Sequence, residues 1–175
     1  MATMQTPKAF YGHLEQSVVL ALKGNVRYMM ARALRSFLDE LLARESESGA
    51  LIIDLRELEG IDSTGMGLLA RLGRSTLEHG RRSVIVCSVR DVMTCLRSAA
   101  FDTLFIIVEK WPFEQEARLS EVPLDAKDQR PDVMGRVILE AHRDLAELSD
   151  ENRQAFAGVI AALEADLEHK SQTCE

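Results

Sequence analysis

What the chain lacks narrows its function before any motif is read. Cations are in deficit: 21 Lys and Arg against 28 Asp and Glu leave a net charge of -7. That balance argues against general nucleic-acid binding, which needs a basic surface to displace counterions, and against an anionic membrane as the main partner. No apolar run approaches the length of a membrane-spanning helix. The N-terminus lacks a charged segment followed by an apolar one, so no signal peptide is expected and the chain reads as cytoplasmic. The three cysteines, Cys87, Cys95 and Cys174, are odd in number and far apart. They fit neither a disulfide framework nor zinc-ligand spacing, and read as buried or incidental thiols of a reducing compartment. His13, His79, His142 and His169 keep no ligand spacing either, so neither a metal nor a cofactor is expected. There is no Walker-type glycine-rich loop and no nucleophile-base-acid set. Ser63 has no histidine near it in the sequence pattern, which makes a hydrolase a poor reading, and no enzyme activity is expected. Repeats and low-complexity segments are also missing.

What is present is the patterning of an α/β protein. With 175 residues, 46% of them hydrophobic, the chain suits one ordinary globular domain with an appendage. Val18 to Leu22 reads as a strand ended by Gly24. A stripe of Val26, Met29, Met30, Ala33, Leu34, Phe37, Leu38, Leu41 and Leu42 recurs at three- and four-residue steps, predicting a helix with Gly49 beyond its end. Leu51 to Leu55, Ser83 to Cys87 and Leu104 to Val108 read as buried strands, near-continuously apolar as parallel strands covered on both faces are. Between them the pattern predicts a helix from about Thr64 to Glu78, closed by His79-Gly80, and a short one capped by Asp91. Strands alternating with helices imply a mostly parallel sheet, with the first two strands forming an antiparallel edge.

After Trp111-Pro112 the texture changes. Residues 1–113 form the expected first domain, 114–130 read as a short helix and linker, and 131–170 as a helical extension. That extension carries two amphipathic patterns. The first uses Val133, Val137, Ile138, Ala141, Leu145 and Leu148, and the second Phe156, Val159, Ile160, Leu163 and Leu167, with Ser149 as the cap between them. Their stripes need burial, on the chain's own core, on a partner, or in a homodimer through these helices. His142 sits on the first of them. A phosphotransfer histidine occupies a similar place, but the tail is too short for the four-helix domain such a residue needs.

The segment with the most chemistry is Ile61-Asp62-Ser63-Thr64-Gly65-Met66-Gly67. It lies where a strand and loop hand over to a helix. Gly65 and Gly67 remove side-chain bulk, so backbone or a partner can approach closely. The helix start offers unpaired N–H groups and a partial positive charge. Ser63 and Thr64 can cap that helix, worth about 1 kcal/mol, or accept a phosphate, which adds about -1.5 to -2 charge. The helix end tolerates that charge, Asp62 repels it, and a partner docked over the loop meets a bulky dianion.

Asp62-Ser63-Thr64-Gly65-Met66-Gly67 resembles the Asp-Ser-Ser/Thr-Gly-Leu-Gly motif of STAS-domain anti-sigma factor antagonists, with Met for Leu. The order of elements extends the resemblance from about Phe10 to Trp111, and Leu58-Glu59-Gly60-Ile61 matches the acidic turn before the motif. The resemblance implies a STAS fold, a mixed, mostly parallel sheet with helices, here joined by a C-terminal helical hairpin. It implies a protein that frees a sigma factor by binding an anti-sigma factor until the partner's GHKL-type serine kinase domain phosphorylates it. A PP2C-type phosphatase reverses the step. Carried over, the acceptor is Ser63, with Thr64 the alternative. The partner-binding set is Asp62, Ser63, Thr64, Gly65, Met66, Gly67 and Arg27. Arg27 departs from the family: Gly24-Asn25-Val26-Arg27 puts a cation where a carboxylate is common. It pairs with a phosphate or marks a different partner. This version is similar to the proteobacterial branch that works with a response-regulator phosphatase. The rival reading is a STAS scaffold of a stressosome-like or lipid-transport complex, with the loop a docking surface only.

Overall fold

The computed structural model describes residues 6–44, 50–124 and 130–172. The expected helix stop at Gly49 and the thiol of Cys174 lie outside them. In chain order the elements are β1 (Lys8–Leu14), β2 (Ser17–Val26), a 3-10 turn (Tyr28–Met30), α1 (Ala31–Arg44), β3 (Leu51–Asp54), β4 (Leu58–Ile61), α2 (Ser63–Glu78), β5 (Ser83–Val86) and α3 (Arg90–Ser98). After a second 3-10 turn (Phe101–Thr103) come β6 (Phe105–Val108), β7 (Arg118–Val122), α4 (Pro131–Ala146) and α5 (Asp150–Gln172).

The sheet runs β6-β5-β3-β2-β1-β7, with β4 beside β2 off that path. β2, β3, β5 and β6 pair in parallel, and β1 pairs antiparallel with both β2 and β7. The expected mixed, mostly parallel sheet is therefore present. Several expectations are corrected. Residues 118–122 form a strand where a short helix and linker was read, and β1 is flanked by it rather than lying at the edge. β7 escaped notice because an edge strand needs no apolar alternation: Arg118, Ser120 and Glu121 are exposed, and main-chain pairing to β1 holds the strand. Leu58–Ile61, read as an acidic turn, is the short strand β4. α3 is capped by Val89 without a side-chain bond, and Asp91 sits inside its first turn.

β2 is the element that delivers the loop. Its first half pairs with β3, in the register Val18↔Leu51 to Ala21↔Asp54. At Gly24, with φ +71, the register shifts and the second half pairs with β4, ending at Val26↔Ile61. A residue with a Cβ resists that left-handed conformation, so Gly24 bends the strand rather than ending it. The Asp62 N–H then donates to the Val26 carbonyl at 3.1 Å, extending the pairing to the first residue of the loop.

Successive β2 side chains point to opposite faces. Val18, Leu20 and Leu22 join Leu34, Leu38, Leu68, Leu69 and Leu72 of α1 and α2 in the main core. Val19 joins Leu14, Ile52 and Val86 in a smaller cluster on the other face. That second cluster is covered by Trp111, Ala117 and Leu119 rather than by a helix. Arg56 lies over the Trp111 ring, 4.6 Å from its centroid. Hydrogen bonds from Arg56 to Asp54 and Glu116 hold its guanidinium protonated.

α4 packs on α2 and α1, and α5 packs on α4. The apolar stripe of α4 is thus spent on the chain's own core, with Ala141 and Leu145 both at 0% exposure. Ser149 caps α5, as expected, by accepting from the Asn152 N–H at 3.1 Å. The buried Asn152 amide donates to the carbonyls of Ala99 and Leu145, both at 3.0 Å, and so ties the start of α5 to α3 and α4.

Candidate functional site

Asp62, and not Ser63 or Thr64, caps α2. Its backbone is extended, at φ -90 and ψ 174, and Oδ1 accepts from the Gly65 N–H at 2.9 Å. Oδ2 accepts from the Tyr28 N–H at 2.7 Å, and its carbonyl accepts the first intrahelical bond, from Met66, at 2.9 Å. One carboxylate thus closes the helix start and pins the Tyr28–Met30 turn beside it. A carboxylate outdoes a hydroxyl here because it takes two donors and adds a favourable charge at the helix N-terminus.

This division of labour leaves the Ser63 hydroxyl free of capping. It stands at the first helical position and meets His142 of α4, with Oγ and Nε2 2.9 Å apart. The other imidazole nitrogen, Nδ1, lies 2.8 Å from the Ile138 carbonyl. A carbonyl can only accept, so Nδ1 carries the proton. In the neutral ring Nε2 is then an acceptor, and the Ser63 hydroxyl donates to it. The ring is 5% exposed and has the Phe156 ring edge-on at 5.7 Å.

The remaining loop residues have distinct surroundings. Thr64 is buried at 3% exposure and Met66 at 7%. A Cβ on Gly65 would lie 2.8 Å from Ile61 Cγ1 and 3.0 Å from Val26 Cγ1. A Cβ on Gly67 would lie 2.0 Å from the Ala141 carbonyl oxygen. The two glycines therefore admit different neighbours: Gly65 the β2–β4 rail, Gly67 the backbone of α4. Arg27 is exposed and immediately precedes the Tyr28 N–H that Asp62 binds, and Tyr28 and Met29 are 51% and 57% exposed.

Further polar contacts hold α4 down. Glu140 accepts from Arg35 of α1 at 2.6 Å. Arg74 of α2 reaches both Asp144, at 3.1 Å, and Glu147, at 2.6 Å. Burial pushes the Asp144 carboxyl above the usual carboxylate range, against the pull of Arg74, Arg71 and Arg35.

His142 is the residue that sequence reasoning did not connect to the loop. Its signal was present: it lies in the apolar stripe of α4, four residues after Ile138 and next to Ala141. The expectation that Ser63 has no histidine nearby is therefore corrected, because the fold brings together residues 79 positions apart. Nucleophile-base distance alone does not make an active site. His142 Nδ1 is tied to a main-chain carbonyl rather than to a carboxylate, and the ring is shut under α4. Among the described residues, no group of three or more His, Cys, Asp or Glu is placed to hold a metal ion, and no helix is long and apolar enough to cross a membrane.

The family match covers the sheet from β1 to β6 and the loop but stops short of β7 and the tail. The family model described as "Mlab, STAS domain" matches residues 9–109. Among solved structures, an anti-sigma factor antagonist from Mycobacterium paratuberculosis is similar in fold, with a TM-score of 0.55 at 17% identity. The match covers 63% of this chain and 92% of that one. No curated protein matches. β7, α4 and α5, and with them His142, lie beyond the family match. With more than half of its length matched by the family model, the chain belongs to the STAS domain family.

Proposed function

We propose that the chain is a cytoplasmic, non-enzymatic anti-sigma factor antagonist with Ser63 as its phosphoswitch. Unphosphorylated, it binds an anti-sigma factor or a GHKL-type serine kinase partner through the half-buried Asp62 and Ser63 at the head of α2 and the adjoining exposed Arg27 turn; Thr64, Gly65, Met66 and Gly67 are buried and shape the loop rather than meet the partner. Phosphorylation of Ser63 ends that binding, and a PP2C-type phosphatase restores it. The observation that carries this reading is the capping by Asp62, which leaves the Ser63 hydroxyl with no duty in closing the helix. Thr64, buried in the helix start, is set aside as acceptor. The exposed Tyr28 and Met29 give a partner apolar area beside the switch, and Arg27 gives it a cation. Self-association would use α5, since the stripe of α4 is already buried.

The test is capture of a partner from the source cells by Ser63→Ala and Ser63→Asp proteins. The Ala form should hold the partner and the Asp form should release it; equal capture by both would sink the switch. The second reading, a scaffold of a lipid-transport or stressosome-like complex, is favoured by the Mlab description of the matching family. Intact-mass measurement on protein from its own cells discriminates: phosphorylation is incidental to a scaffold, so a persistent absence of phosphate across growth conditions favours it.

A further inference from the structure

We infer that the α4–α5 hairpin is an internal cover of the switch, and that a phosphate on Ser63 drives it off α2. The inference rests on the reading of Ser63 as a phosphoacceptor and adds a structural consequence that the reading alone does not contain. In the present arrangement Ser63 is half-buried, and its hydroxyl is engaged by a buried imidazole on the covering helix. Transfer from a nucleoside triphosphate forms a bond from Oγ to phosphorus and breaks the donor's terminal P–O bond. The nucleoside diphosphate leaves, and the hydroxyl proton passes to the kinase's base. The product must fit a phosphorus and three oxygens where Oγ and Nε2 are now 2.9 Å apart.

Two features keep α4 from yielding by a small shift. The Gly67 Cα faces the Ala141 backbone so closely that even a Cβ there would lie 2.0 Å from its carbonyl oxygen. The helix is already in backbone contact with α2 and cannot tilt around Ser63. The imidazole cannot swing aside either, with Nδ1 bonded to Ile138 and Phe156 against its face. Electrostatics act in the same direction. Nε2 presents a lone pair to the incoming oxyanions, and Asp62 sits next to them with both carboxylate oxygens committed. Removal of the hairpin uncovers the α2 face and frees Arg35 and Arg74 from Glu140, Asp144 and Glu147. Off α2, α4 keeps its contact with α5 but loses the packing on α2 and α1 that supports its helix.

The experiment installs phosphoserine at position 63 of the full chain by codon suppression and follows amide hydrogen exchange, with no kinase or partner needed. The expected result is at least about a hundredfold loss of protection for amides of residues 138–146, while β3 and β5 stay protected. Ser63→Ala protein, which leaves Nε2 without its donor, should lose about tenfold or less in α4. Three results overturn the inference. One is unchanged protection of α4 in the phosphoserine protein, which would mean that the phosphate is accommodated beside His142 with the hairpin in place. Another is loss of protection in β3 and β5 along with α4, which would mean general unfolding. The third is equal loosening by Ser63→Ala. Partner capture is scored separately, so a phosphoserine that frees α4 while Ser63→Ala and Ser63→Asp bind partners alike would uphold the cover and reject the switch.

Discussion

Gly67→Ala probes the docking of α4 without removing a charged or hydrogen-bonding side chain. The added methyl would stand 2.0 Å from the Ala141 oxygen, 2.5 Å from its carbonyl carbon and 2.8 Å from its Cα. All three are backbone atoms of a helix, so no rotamer change relieves the clash and α4 must retreat. Retreat thins the packing of Leu139, Ala141, Leu145 and Ala146, each under 8% exposed, and stretches the bond from Ser63 to His142. Overpacking of this kind costs about 1–3 kcal/mol. Within α2 itself, Ala in place of Gly returns about 1 kcal/mol of helix propensity, but that gain belongs to the STAS core and not to the docking of α4. The docked state should lose about 2 kcal/mol, which is roughly a 30-fold rise in the open population. Hydrogen exchange reads it directly: amides of α4 should exchange roughly 30-fold faster, with β3 and β5 amides unchanged or slower. Exchange in α4 equal to that of the unaltered chain would refute the close approach of the two helices, and with it the argument that α4 cannot yield around Ser63.

Two further substitutions test the groups around the site. Asp62→Ala removes the cap on Gly65 and the acceptor for Tyr28, and should cost about 1–2 kcal/mol in denaturant unfolding, while Asp62→Asn should recover at least half; a loss under about 0.5 kcal/mol for the Ala form would show that the carboxylate is not what closes the helix. Asp144 gives a pH test. Burial raises its carboxyl above the ordinary value of 3.8, so the folded state holds that proton more tightly than the unfolded chain. Its contribution is fully present below pH 3.8 and declines as the pH rises through the raised value. The unfolding free energy of the natural chain should therefore fall, relative to Asp144→Asn, on going from pH 3.5 upward, and a constant difference would contradict the buried placement.

Much of the fold was legible because it follows from local pattern. The apolar runs at Leu51, Ser83 and Phe105 have the length and β-branched content of buried parallel strands, and each lies in the sheet. The stripes of α2 and α4 are periodic and find burial, as does that of α1 from Ala31 onward, whereas Val26 of the predicted stripe lies in β2 and Met29 stands exposed in the 3-10 turn. Short or exposed elements were not legible. β7 is an exposed edge strand, and β4 is four residues long with Glu59 and Gly60 inside it. Both exist because a neighbour supplies main-chain hydrogen bonds, and side-chain pattern does not record that. The cap of α2 went to Asp62 rather than to a hydroxyl for a tertiary reason, since Oδ2 also serves Tyr28, 34 residues away.

The sequence by itself determined that Asp62, Ser63 and two glycines stand at a helix start in an α/β domain, because residue types and periodicity are local properties. It also determined that the tail is a pair of helices. Only the tertiary structure decided where those helices lie. Gly67 reads as room for a partner until α4 is seen against it, and His142 reads as one more histidine until its ring is found on Ser63. Neither contact has a local signature. Each depends on the fit of one helix to the surface of another, which comes into being when the chain is folded.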